Sequence, residues 1–173
     1  MNDLQKNLLD WAEKTVKVYV DYANAHDDAP AFYTQSPLNG ITTSPELLIM
    51  GINPGSFGTY KEQKDKSKNW HFKGEDMSAE ELLSGNFCKT GKDSNVCQWE
   101  HFWDFDYGKR VLRYLSKANI NPLMYPEKYV LTNATFFATL QAKDIQHVLP
   151  QTCMQTLKLI EILSGKVCRS DTA

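Results

Sequence analysis

Apolar side chains recur at three- and four-residue steps near the start of the chain: Leu4, Leu8, Trp11, Ala12, Thr15, Val16, Tyr19, Val20 and Ala23. This spacing predicts an amphipathic helix over residues 3–24. The next stretch, HDDAPAFYTQSPLNGITTSP (26–45), holds three prolines and a glycine and reads as an irregular connection. Glu46 to Met50 is short, apolar and bounded by breakers, which predicts a strand buried on both faces. Residues 59–77 are polar and irregular. Ser78 with Glu81 forms a capping box that opens a short helix, SAEELLSG, ended by Gly85. Residues 86–98 read as a further loop. A helix is then expected from about Trp99 to Ala118, either continuous or interrupted near Gly108, with Val111, Leu112 and Leu115 inward. Residues 128–137, KYVLTNATFF, are rich in β-branched and aromatic side chains and predict a second strand. Pro150 opens a last helix with Met154, Leu157, Ile160 and Leu163 inward, stopped at Gly165.

The order α, β, α, α, β, α implies an α/β fold: a three-layer α/β/α sandwich with a mostly parallel central sheet. The 173 residues suit one domain, and no linker or repeat divides them. After Gly165, "KVC" reads as the start of a third core strand, so either a third strand hides in the loops or the fold is cut short at its C-terminal side. Hydrophobic content of 42% and charged content of 23% are those of an ordinary globular protein. A net charge of −2 does not announce a strongly basic nucleic-acid binder, so any basic surface has to be local. No run of about 18 apolar residues is present, and MNDLQKNLLDWAEK lacks the basic-then-apolar order of a signal peptide. A cytoplasmic protein with no membrane partner is expected. Cys88, Cys97, Cys153 and Cys168 form no C-x-x-C pair, and His101 and His147 complete no zinc pattern. The four cysteines therefore read as reduced thiols, with no metal and no cofactor.

Chemistry is expected where strands end. In open α/β sheets, ligands bind outside the carboxyl ends of the strands. The loop after Met50 runs Gly51-Ile52-Asn53-Pro54-Gly55-Ser56-Phe57-Gly58. Pro54 restricts Asn53 to extended conformations, so the backbone aims that side chain. The glycines permit tight turns and close approach of a ligand to the main chain. The loop has no Lys-Ser/Thr and is not G-x-G-x-x-G, which argues against a nucleotide phosphate site. By itself such a stretch is an ordinary turn. Asn133 adds weight, standing in the middle of the otherwise apolar and β-branched "YVLTNATFF". A buried asparagine has to find partners for one acceptor and two donors. Neighbouring backbone can supply them, or a flat ligand edge can: an amide donates and accepts side by side, matching O4 and N3–H of uracil.

Together these segments resemble the uracil-DNA glycosylase superfamily. GINPG (51–55) is similar to the first motif of the mismatch-specific uracil and thymine glycosylases. NPGSFG (53–58) is similar to the single-strand-selective monofunctional branch, and VLTN (130–133) to the family's second asparagine-bearing strand. The resemblance covers roughly residues 44–165. It implies that Asn53 positions the attacking water, that Asn133 reads the uracil edge, and that Gly51, Ile52, Pro54 and Gly55 shape the base pocket. It also implies an aromatic ring stacked on the flipped base: Phe72 in NWHFKG, with Phe57 and Trp70 as rivals. The partner is DNA carrying uracil or a related base, and the protein a monomer. KEQKDKSKNWHFK (61–73) carries five lysines against one Glu and one Asp, and Lys64, Lys66 and Lys68 are the expected phosphate contacts unless the segment is merely a solvated loop. The family's third motif, His-Pro-Ser or Asn-Pro-Ser, has no counterpart after Asn133, and His147 in IQHVLPQ does not match it. Three functions follow: a base-excising glycosylase, a non-catalytic DNA- or partner-binding protein of the same fold, or a small-molecule enzyme using the same strand-end loop.

Overall fold

The computed structural model describes residues 1–52, 55, 58–66, 75–85, 99, 102–138 and 150–165, for 65 and 66 the backbone only. Helix α1 spans Asp3–Ala25. Its start is fixed by a capping box: Asn2 Oδ1 accepts from the Gln5 amide at 2.9 Å, and the Asn2 amide donates to Gln5 Oε1 at 3.1 Å. Its apolar stripe lies inward as the spacing predicts, with Leu8, Trp11, Ala12, Thr15, Tyr19, Val20 and Ala23 buried. Tyr19 is fully enclosed, its ring centroid 4.9 Å from Phe32, 5.7 Å from Phe136 and 4.6 Å from Phe137.

Strands β1 (Leu47–Gly51) and β2 (Tyr129–Asn133) pair in parallel, in a register that runs from Leu47 opposite Tyr129 to Gly51 opposite Asn133. Side chains alternate between the two faces of the pair. Leu48 and Val130 join the larger core with α1. Ile49 and Leu131 join a second core built on Trp99, Phe102 and Trp103. All five residues of β2 are buried. β1 departs from the expectation of a strand buried on both faces: Met50 is 55% exposed, and its other residues are half-buried. The physical reason is position, since among the described residues β1 has a paired neighbour on one side only. The second strand is also shorter than the β-rich run 128–137. Past Asn133 two more bonds reach the end of β1, from Ala134 N–H to the Gly51 carbonyl and from Thr135 N–H to that of Ile52, before the backbone turns to residues 31–33.

The expected irregular loop of residues 59–77 contains a helix instead, α2 (Tyr60–Lys66). Thr59 and Glu62 cap it reciprocally: Glu62 N–H donates to Thr59 Oγ1 at 3.3 Å, and Thr59 N–H to Glu62 Oε2 at 3.4 Å. Helix α3 (Ala79–Ser84) carries the predicted Ser78–Glu81 box and ends on Gly85 at φ +63°. Trp99 and Phe102 are helical, as expected; the interruption falls at residues 103–105, and helix α4 (Asp106–Lys117) follows with no break at Gly108 itself. Gly108 lies inside the helix because a Cβ there would stand 2.0 Å from the Phe102 carbonyl oxygen, so the backbone ahead of α4 packs directly onto it. Asn119, at φ +59°, closes α4 in the left-handed region.

Helix α5 (Pro150–Leu163) ends at Gly165 as expected, φ +67°, but its buried face is only partly the one expected: Leu163 is buried and Ile160 half-buried, whereas Met154 and Leu157 are not inward. Met154 and Leu157 are 47% and 53% exposed, while Thr152, Gln155, Thr156, Leu159 and Leu163 are buried. Polar residues win those positions because each finds a hydrogen bond. Trp11 Nε1 donates to the Gln155 carbonyl at 2.7 Å, Thr15 Oγ1 to Gln155 Oε1 at 3.3 Å, and Thr156 Oγ1 to the Asn133 carbonyl at 3.0 Å. No described helix is long and apolar enough to cross a membrane.

Candidate functional site at the carboxyl end of the parallel strands

The irregular connection after α1 builds the floor of the site. Residues 29–36 are buried without belonging to a helix or a long strand. Their backbone groups are satisfied by the segments that leave the two strands. Ala31 N–H donates to the Gly58 carbonyl at 3.0 Å, and Tyr60 N–H to that of Ala29 at 2.9 Å, on the β1 side. Tyr33 N–H donates to the Phe136 carbonyl at 3.1 Å, and Ala138 N–H to that of Ala31 at 2.7 Å, on the β2 side. The segment thus bridges the carboxyl ends of both strands and holds them in one frame.

On that frame sits Asn133, the last residue of β2 and 3% exposed. Its Nδ2 donates to Gln35 Oε1 at 3.0 Å. Its side-chain oxygen faces Gly51, where a Cβ would stand only 2.6 Å away. The absence of a side chain at Gly51 is therefore what admits the Asn133 amide beside β1. Gln35 spends one Asn133 donor; the second N–H and the Oδ1 acceptor form no hydrogen bond among the described residues. An amide with a donor and an acceptor unspent has the groups that hydrogen-bonding to a flat heterocycle uses. Ser36 Oγ accepts from the Leu131 amide at 2.7 Å and Thr156 donates to the Asn133 carbonyl, so both sides of the β2 terminus are pinned. Tyr33 Oη donates to the Gly55 carbonyl at 3.2 Å, tying the strand-end loop to the same floor. Ile52, 57% exposed, and Met50 form an apolar rim on β1.

Of the residues expected to form the site, Gly51, Ile52, Gly55 and Asn133 come together here. Asn53, Pro54, Phe57, Trp70, Phe72 and Lys68 lie outside the described residues, as do Cys88, Cys97, His101, His147, Cys168 and the KVC segment. Lys66 ends α2, its side chain likewise outside them. Lys64 is engaged within the protein, 2.8 Å from Asp76 Oδ1, and Lys61 is paired with Asp27. Tyr60 Oη also donates to Asp76 Oδ1, at 2.8 Å. Burial pushes the Asp76 carboxyl up, but the hydrogen bonds from Lys64 and Tyr60 and the lysine charge outweigh it and leave the group below the ordinary range. Burial and the neighbouring Asp76 push the Tyr60 hydroxyl well up.

Sequence reasoning missed Gln35, Ser36 and Tyr33, which lie in a proline-broken stretch with no periodicity. The one usable signal was polar residues amid Ala, Phe and Tyr in a connection too apolar to be solvated. Cys153 is a free thiol, and no group of three described His, Cys, Asp or Glu side chains is placed to hold a metal. A cavity of about 500 Å³ lies between α1 and α5, lined by Asn7, Trp11, Lys14, Ser44, Gln155 and Lys158. Ser44 precedes β1, which places this cavity toward the amino end of the strands, away from Gly51 and Asn133. Compared with known proteins, the chain matches no family model, no curated protein and no solved structure.

Proposed function

We propose that the chain is a DNA glycosylase of the uracil-DNA glycosylase type, hydrolysing the N-glycosidic bond of uracil or a related base flipped out of DNA. The observation that carries this reading is the pairing of Gly51 with Asn133 at the carboxyl end of two parallel strands, with the Asn133 amide buried beside Gly51 and anchored by Gln35. It supports the resemblance of GINPG and VLTN at a level the sequence alone could not, because Gly51, the first residue of GINPG, lies opposite Asn133, the last of VLTN. In this reading the cores on either face of the strand pair are the flanking layers of an α/β/α sandwich.

A base inside a duplex is out of reach, so it has to be extruded into the pocket. Asn133 then reads O4 and N3–H of the pyrimidine. Breaking the glycosidic bond builds positive charge on the sugar and negative charge on the departing base. Donors already in place around the base oxygens lower that barrier, and a weakly basic Asn53 suffices to orient water if bond cleavage precedes attack. The test is excision. Single-stranded and duplex oligonucleotides with one uracil are incubated with the protein and treated with alkali. Strand cleavage by the wild type, reduced at least about a hundredfold in Asn133→Ala and in Asn53→Ala, is expected. Cleavage at wild-type level in both variants would remove the site.

A further inference from the structure

Helix α4 carries Lys109, Arg110, Arg113 and Lys117 against a single acid, Asp106, in a chain whose net charge is −2. All four cations are exposed. At 100° per residue they fall within about a third of the helix circumference, and Tyr107 and Tyr114 flank them on one side. The two tyrosines are 52% and 70% exposed. Among the described residues none of the four cations is in an ion pair, whereas Lys61 and Lys64 of the lysine-rich segment are. The Arg110 side chain donates from Nε to the Asp106 carbonyl at 3.3 Å, and Lys117 Nζ lies 5.7 Å from the Tyr114 ring centre. Arg113 and Lys117, and likewise Lys109 and Arg113, are one turn apart, about 6 Å along the axis.

We infer that this face of α4 binds the backbone of single-stranded nucleic acid, with the four cations on phosphates and the tyrosines as stacking surfaces for bases. Cations in a row beside exposed aromatic rings are the combination that such strands require. An anionic membrane is the weaker match. An interfacial helix needs its apolar face free to enter lipid, and that of α4, Val111, Leu112 and Leu115, is committed to the core with Trp99, Phe102 and Trp103. The inference goes beyond the base-excision reading and does not need it.

The experiment is fluorescence anisotropy of the full chain with a labelled oligothymidylate, from about 50 to about 200 mM salt. The variants are Arg110→Glu/Arg113→Glu/Lys117→Glu, the milder Arg110→Gln/Arg113→Gln, and Tyr114→Ala. All substituted positions are exposed, and thermal melting checks that the variants fold. A loss of at least about tenfold in affinity for the triple variant, a smaller loss for the double variant, and a salt dependence flatter by about 0.7 in log–log slope per phosphate contact removed are expected. Wild-type affinity and slope in both charge variants, no binding by the wild type, or binding of phosphatidylserine vesicles in place of the oligonucleotide would overturn it. Excision that persists with binding indifferent to α4 sinks this inference alone. Binding lost in the α4 variants, with no excision by the wild type, sinks the glycosylase reading alone.

Discussion

A Cβ built on Gly51 would stand 2.6 Å from Asn133 Oδ1, whereas one on Gly108 would stand 2.0 Å from the Phe102 carbonyl oxygen. The two contacts differ in what can yield. Asn133 can rotate its amide, at the cost of the Gln35 hydrogen bond, so Gly51→Ala is expected to lower stability by about 1–3 kcal/mol. Excision should fall much further than that loss implies, because the reading edge is displaced. At Gly108 the obstacle is backbone. Glycine to alanine inside a helix ordinarily gains up to about 1 kcal/mol; here Gly108→Ala is expected to destabilise by more than about 3 kcal/mol. Urea unfolding of the two variants, with the excision assay beside it, checks both. Gln35→Ala leaves an Asn133 N–H without its partner. It is expected to cost about 1–3 kcal/mol and to reduce excision while Asn133 itself is intact. Gly51 and Asn133 were legible in the sequence because one is a breaker at a strand end and the other a polar residue in an apolar run. Gln35 was not, since its importance arises only when a distant strand end folds down beside it.

Elements were legible where local chemistry and burial agree. α1 and α3 carry both an inward apolar stripe and a capping box, and both form as expected. Thr59 and Glu62 are the same kind of signal, but the lysine-rich composition around them hid α2. In α5 the apolar pattern was right for Leu163 and wrong for Met154 and Leu157, because Thr152, Gln155 and Thr156 are held inside by hydrogen bonds to α1 and β2 that no periodicity reports. This makes the face of α5 measurable. Leu159→Ala and Leu163→Ala are expected to cost about 2–5 kcal/mol each. Met154→Ala and Leu157→Ala, on the exposed side, should stay within about 0.5 kcal/mol. Equal losses in both pairs, measured by urea unfolding, would contradict this orientation. β1 was legible in place but not in burial, since an apolar five-residue run looks the same whether one edge or both are paired.

At the scale of the whole molecule, the buried hydroxyl of Tyr19 links the core to pH. Burial raises its pKa from the ordinary 10 to about 12, against opposing hydrogen bonds with Thr135, the Phe136 amide and Thr152. A folded-state pKa above the unfolded one means that the protonated tyrosine supports the fold fully below pH 10. That support is lost as pH rises from 10 towards 12. Urea unfolding is therefore expected to show stability falling over this window, and falling less in Tyr19→Phe. At pH 7 that variant should be weaker by about 1–2 kcal/mol, because the Phe136 amide loses its acceptor. A Tyr19→Phe curve parallel to the wild type above pH 10 would refute the link. The parallel pairing of β1 with β2 has a consequence in time. Gly51 and Asn133 are roughly 80 positions apart, and no local hairpin can bring them together. On the ribosome, at about 5–20 residues per second, β1 waits roughly 4–16 s for its partner to be made. Through that interval Leu48, Met50 and Ile52 stand on an open strand edge, so the newborn chain is most exposed to chaperones and to self-association at the very segment that later frames the site.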